Sequence, residues 1–178
     1  MKATGIVRRI DDLGRVVIPK EIRRTLRIRE GEPMEIFTGR EGEIVLKKYS
    51  PIEELGNLAK EYVQAMAQTL GCLVCVSDHD QIVAASGPGQ GEYQGKNISV
   101  ELEAVIDNRK LSGYNKYIPV LEGDRESSGS QVICPVICAG DAIGAVIIME
   151  KKEGIQMGET ERKIAQIGAG FLGRQMEN

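Results

Sequence analysis

The sequence predicts an α+β protein in two modules: a small β-rich one over residues 1–50, then an antiparallel sheet flanked by helices. Three observations carry that expectation. The apolar period switches repeatedly between two and about 3.6 residues. Clusters of Asp, Gly and Pro separate short β-branched runs. Charge is also divided, since residues 1–50 hold 12 Lys and Arg against 8 Asp and Glu, whereas residues 51–178 hold 11 against 18. The halves therefore carry +4 and −7, which sum to the chain's −3. Opposite charge in two halves argues for two modules with different partners.

In the first module, residues 4–10 and 15–18 are β-prone stretches around the turn formers Asp11-Asp12-Leu13-Gly14. Pro19 suits the first position of a helix that continues through KEIRRTLRI. Ile22 and Leu26 lie four apart on one face of it, and Gly31 and Pro33 stop it. Residues 34–38 and 44–49 read as a second strand pair joined by a hairpin loop at 39–43.

Pro51 marks the boundary between modules. Residues 52–70 then read as a long helix, with Leu55, Leu58, Tyr62, Ala65 or Met66, and Thr69 near a 3–4 spacing. Two apolar runs, 72–77 and 81–86, follow as a hairpin around Asp78-His79-Asp80, and a glycine-rich loop covers 87–95. Asn97 or Ser99 caps a helix reaching about Lys110, and residues 111–129 read as strand plus loop. Strands over 131–138 and 142–150 surround the turn Ala139-Gly140-Asp141, and a helix over 159–176 closes the chain. The expected limits are a first domain at 1–50, a junction at 51–55 and a second domain at 56–178.

Composition narrows the class. At 42% hydrophobic and 28% charged, the chain holds enough apolar material to offset its conformational entropy. No window approaches the roughly 18 apolar residues of a membrane-spanning helix, so no membrane partner is expected. The N-terminal run MKATGIVRRIDDLGR passes straight into charge without an apolar signal region, which predicts a cytoplasmic location and four reduced cysteines. Trp is absent and aromatics make up 4%, so the core must be aliphatic.

The first module is the informative one. Four strands and a short helix in 50 residues give a small core, with no disulfide or zinc pattern to staple it. Oligomerisation is the remaining remedy, so residues 1–50 are expected to fold as a dimer. Arg8, Arg9, Arg15, Lys20, Arg23, Arg24, Arg27 and Arg29 crowd into 22 positions. Arginine's planar fork bonds phosphate and guanine edges in pairs, and a two-fold axis would double the patch into a basic face for duplex DNA. A merely solvated charged face is the alternative reading of the same counts.

The run TGIVRRIDDLGRVVIPKEIRRTLRIREGEPMEIF…GEIVLKKY resembles the AbrB-type swapped-hairpin DNA-binding domain of bacterial transition-state regulators, over about residues 3–50. The resemblance implies an intertwined homodimer whose hairpins interleave into one small barrel. It also implies DNA contact by Arg8 in GIVRR, Arg15 in LGR, and Arg23 with Arg24 in IRR, with Arg9 and Lys20 ranked second. The segments SPIEELGNLAKEY, GDAIGAVII and MGETERKIAQIGAGFLGRQME resemble those of sporulation regulators in which this domain precedes a GAF-like domain. That resemblance implies an activator and repressor of sporulation genes, acting at the nucleoid in the forespore. It supports a homotetramer through the two long helices, and it allows an unidentified small-molecule ligand of the GAF-like domain. No other cofactor is expected. Two alternatives stay open: an antitoxin-type interaction module, and a small-molecule sensor whose basic module binds another polyanion.

The second module offers weaker signals. Cys72-x-x-Cys75 lies in a strand pattern, where residues three apart point to opposite faces, and Leu-Val is a poor turn for a zinc knuckle. Together with Cys134-x-x-x-Cys138 it reads as buried thiols rather than a metal site. His79, the single histidine, reads as a solvated turn residue, so no catalytic arrangement with a base can be assembled and no enzyme is expected. The loop SGPGQGEYQGKN misses both phosphate-binding glycine patterns, because Asn97 follows Gly95-Lys96 and Pro88 removes an amide donor. In the closing helix, Ile164, Ile167, Phe171 and Leu172 form an apolar stripe. Ala165, Ala169 and Gly173 repeat every four residues there, a spacing that permits close helix–helix approach or packing on the domain's own sheet.

Overall fold

A computed structural model of the chain describes residues 5–113, 117–124, 129–152 and 154–177. It divides into two compact units, Met1–Tyr49 and Ser50–Asn178.

In the first unit, the helix α1 spans Lys20–Thr25 and the strands β1 (Met34–Thr38) and β2 (Ile44–Lys48) pair antiparallel, from Met34 opposite Lys48 to Thr38 opposite Ile44. The helix ends earlier than Gly31 and Pro33 suggest. Arg27 adopts a left-handed φ of 52°, Ile28 N donates to Arg23 O at 2.7 Å, and Arg27 N donates to Arg24 O at 3.3 Å. Those two bonds close a Schellman motif with arginine in the position that glycine usually fills. Residues 5–10 and 15–18 form no strands, contrary to expectation, and residue 4 lies outside the described residues. The physical reason is pairing: a strand exists only as part of a ladder, and among the described residues no strand neighbours these stretches.

The second unit is built on a five-stranded antiparallel sheet in the order β4-β3-β7-β6-β5, with β3 Leu73–Ser77, β4 Ile82–Ser86, β5 Ser112–Gly113, β6 Ser130–Cys138 and β7 Asp141–Glu150. The β6–β7 hairpin turns through Ala139 and Gly140, both at positive φ as a type I′ turn requires. Alternation splits the strand residues between two cores. Val74, Val76, Val132, Val136, Val146 and Ile148 face the helices α3 (Gly56–Leu70) and α5 (Glu159–Gln175). Leu73, Cys75, Ile133, Ala145, Ile147 and Met149 face the helix α4 (Val100–Asp107), joined there by Tyr93, Ile98 and Val120. Both faces of the central strands are therefore dry, and each fully buried Ile or Val contributes about 1.5–3 kcal/mol.

The helices differ from expectation in detail. The long helix at 52–70 is interrupted at Leu55, so that α2 (Pro51–Glu54) precedes α3, where Gly56 weakens helical continuity. The buried face of α3 is Ala59, Val63, Met66 and Ala67, while Ala65 and Thr69 face out. Ser99 is the residue that caps α4, its Oγ accepting from Leu102 N at 3.0 Å. In α5 the small residues serve the sheet: a Cβ at Gly173 would collide with Ile137 O, so the helix lies directly on β6. Part of the stretch read as strand plus loop, 114–116 and 125–128, lies outside the described residues.

Candidate nucleic-acid interface

The basic residues of the first unit fall into two groups. Arg29 pairs with Glu32 at 4.0 Å, and Lys48 pairs with the same carboxylate at 3.4 Å while donating to Arg27 O at 2.7 Å. Arg27 and Arg29 thus fasten the exit of α1 to β2, and their polar groups are engaged in the fold. Arg8, Arg9, Lys20, Arg23 and Arg24 form no ion pair with another described residue. Arg8, Arg9, Lys20 and Arg24 are exposed, and Arg23 is half-buried against the short helix. Arg15 is the exception among the candidates, because Asp11 holds it.

Asp11 organises that turn. One carboxylate oxygen accepts from Leu13 N at 3.0 Å and Arg15 N at 2.8 Å, and the other accepts from Arg15 Nε at 2.7 Å. Gly14, at φ 76°, donates to Asp11 O and closes the loop. The backbone and then the side-chain bonds from Arg15 hold the Asp11 carboxyl below its ordinary value. From sequence alone Asp11 reads only as a turn former. An aspartate placed four residues before an arginine across a tight turn was the available signal for a positioning residue.

Around these cations the surface is apolar. Val7 is 87% and Val17 73% exposed, and Ile10, Leu13 and Val16 are exposed beside them. Pro19 is the one buried residue among those described in this unit. Isolated exposed aliphatics are ordinary, but a run of five interleaved with arginines over eleven residues marks an interaction surface.

The second unit places its sequence candidates elsewhere. Cys72 packs under α3 and α5, whereas Cys75 packs under α4, so the two thiols lie on opposite faces of the sheet. Burial pushes Cys72 and Cys134 up to about 11 and Cys75 up to about 12. Among the described residues no three His, Cys, Asp or Glu side chains gather in a metal-binding group. His79 is half-buried, not a freely solvated turn residue, with Nε2 2.7 Å from Ala142 O and Nδ1 3.8 Å from Asp107. The glycine-rich loop contains a 3₁₀ turn, Gln90–Glu92, that drives Tyr93 into the α4-side core. No helix among the described residues is long and apolar enough to cross a membrane.

Comparison with known proteins decides the family. A family described as stage V sporulation protein T C-terminal, transcription factor, matches residues 54–177. The chain is 54% identical over 179 residues to stage V sporulation protein T of Bacillus subtilis, covering 99% of each. The chain belongs to the stage V sporulation protein T family. It is accordingly a sporulation transcription regulator with an AbrB-like DNA-binding N-terminus and a GAF-like C-terminal domain. The transition state regulatory protein AbrB of B. subtilis is 61% identical over 51 residues, 29% of this chain and 52% of AbrB. Residues 7–54 also match the family described as antidote-toxin recognition MazE, bacterial antitoxin. The GAF domain of Acinetobacter phosphoenolpyruvate-protein phosphotransferase superposes with a TM-score of 0.56 at 12% identity, covering 68% of this chain and 81% of that one. At that identity the likeness carries the fold alone, a sheet with helices on both faces.

Proposed function

We propose that residues 1–50 act as a homodimer that grips duplex DNA through Arg8, Arg15, Arg23 and Arg24, with Arg9 and Lys20 in secondary contacts. The observation that supports this best is the exposed apolar run Val7, Ile10, Leu13, Val16 and Val17 threaded between those arginines. A second chain pairing with residues 5–18 would complete their strands, cover the aliphatic side chains and set two groups of arginines on one face. Most of the contacts go to phosphates and a minority to bases, which favours DNA shape over a strict sequence. The regulator activates some sporulation genes and represses others, in the cytoplasm at the nucleoid of the forespore. An antitoxin role is the weaker reading of residues 7–54, because an ordered domain follows them where a toxin-wrapping tail would be needed.

A salt titration on a sporulation promoter duplex and a scrambled duplex, beside Arg24→Ala, tests the DNA reading. The wild type should bind the promoter more tightly, with log K falling steeply against log salt. Arg24→Ala removes one cation from each subunit of the dimer, so it should bind at least about tenfold more weakly and lose about two units of slope. Equal binding of the two proteins overturns the assignment.

The second domain assembles the dimers into a tetramer and takes a small-molecule ligand that biases its arrangement. Ile167 is 67% exposed on α5, and the neighbouring Phe171 stacks on Tyr62 of α3 at 5.6 Å, so the two helices present one apolar face. Sedimentation at micromolar concentration should give the mass of four chains, falling to two for Ile167→Asp. A wild-type mass of two chains removes the tetramer.

A further inference from the structure

An open groove of about 440 Å³ lies between α3 and the β4 edge of the sheet, with Lys60, Gln64, Gln68 and Gln90 exposed along it. Lys60, Gln64 and Gln68, spaced by four along one face of α3, form one wall, and Ser86, Gly87 and Gln90 form the other. That volume falls in the range of small-molecule sites, about 300–1,000 Å³. It lies on the opposite side of the sheet from α4 and its core.

The second wall is fixed before any ligand arrives. Gly87 sits at φ 107°, and a Cβ there would strike Cys72 O, so only glycine fits. Gln90 Oε1 accepts from Gly87 N at 3.2 Å. Gln94 ties the outer edge of β4, accepting from Ala85 N at 2.9 Å and donating to Val83 O at 2.7 Å. Those backbone groups are the ones an added strand would need, so strand addition is blocked at that stretch, which argues for a small-molecule occupant over an extended peptide.

The lining specifies its charge. Lys60 forms no ion pair with another described residue, and no carboxylate lines the cavity among the described residues. A single cation beside amides and a hydroxyl suits one negative charge plus neutral polar groups. A phosphate dianion would lack a second cation, and the Gly87 amide is already taken. We propose that this cavity binds a small monocarboxylate that also carries an amide or hydroxyl group, with Lys60 holding the carboxylate and Gln64, Gln68 and Ser86 the neutral part. The proposal rests on the reading that the second domain takes a small molecule, and it names the site and the chemical class.

The test is an amide NMR titration of the full chain with N-acetylglycine, N-acetylglycinamide and inorganic phosphate. N-acetylglycine should shift the Ser86 and Gly87 backbone signals and the Gln64 and Gln68 side-chain amides, saturating in the millimolar range of about 1–10 mM. N-acetylglycinamide should leave them in place. Lys60→Gln should weaken the effect about tenfold and Lys60→Arg should retain it. Absence of saturable shifts, equal shifts in Lys60→Gln, or phosphate matching N-acetylglycine each overturns the site. Shifts confined to Leu102 and Ile106 overturn it too, yet leave small-molecule binding by the domain standing.

Discussion

Val7 and Ile147 are both β-branched residues in stretches with strand-like patterning, yet Val7 is 87% exposed and Ile147 is fully buried. The difference lies in what surrounds each backbone. Ile147 sits in β7, hydrogen-bonded to β3 on one side and β6 on the other, with α4 closing over it. Val7 belongs to a segment with no neighbouring strand among the described residues. The second unit therefore buries the apolar residues of its sheet internally, and the first holds its aliphatic side chains outward among arginines. On the proposed dimer, stability in the first unit is coupled to association, whereas the sheet core of the second is completed within one chain.

The largest expected effect breaks that contrast on the buried side. Ile147→Ala removes a fully buried side chain from the α4-facing core and should cost about 4 kcal/mol in denaturant unfolding of the second unit. A loss below about 1 kcal/mol, the range of surface changes, would mean that this core is loosely packed.

Next in size is Val7→Asp, which sharpens the comparison from the exposed side. On a solvated surface the change would stay within about 0.5 kcal/mol. At a covered dimer face it buries an unpaired charge, so the dimer should dissociate at about 100-fold higher concentration, read by sedimentation dilution series. An unchanged dissociation constant would remove residues 5–18 from the subunit interface.

The same contrast explains what the sequence disclosed. Elements whose determinants are local were legible: the β6–β7 turn at Ala139-Gly140, the Ser99 cap of α4, and the opposite orientation of Cys72 and Cys75 all follow from a few adjacent residues. Elements that need distant or intermolecular partners were not. Residues 4–10 and 15–18 read as strands by propensity, but a strand needs a ladder, and among the described residues none pairs with 5–10 or 15–18. The buried face of α3 was displaced by one position, because which apolar residues meet the sheet depends on the helix's rotation rather than on its period. Tyr93 was hidden in a glycine-rich loop, and its one signal was an aromatic in a chain that has few. At the candidate interface, the motif resemblance already sets Arg8, Arg15, Arg23 and Arg24 apart from Arg27 and Arg29, and the geometry adds that Arg29 and the Arg27 carbonyl are engaged in the fold while Asp11 holds Arg15.

The thiols divide the units too, since all four cysteines lie beyond residue 70. Burial raises Cys72 and Cys134 to about 11 and Cys75 to about 12, above the ordinary thiol value of 9.0. The unfolded chain therefore releases these protons first as pH rises. The stabilisation is complete below pH 9.0 and is lost as pH climbs through 11 to 12. Thermal melts should accordingly show the second unit weakening above that lower limit, with a shallower pH slope in Cys75→Ala. At neutral pH, alkylation of the native chain should favour Cys138, the half-exposed thiol, and reach the three buried ones only on unfolding. Equal labelling of all four in the folded protein would mean that the sheet opens on the timescale of the reaction, and that the sharp division between a self-sufficient unit and an associating one does not hold.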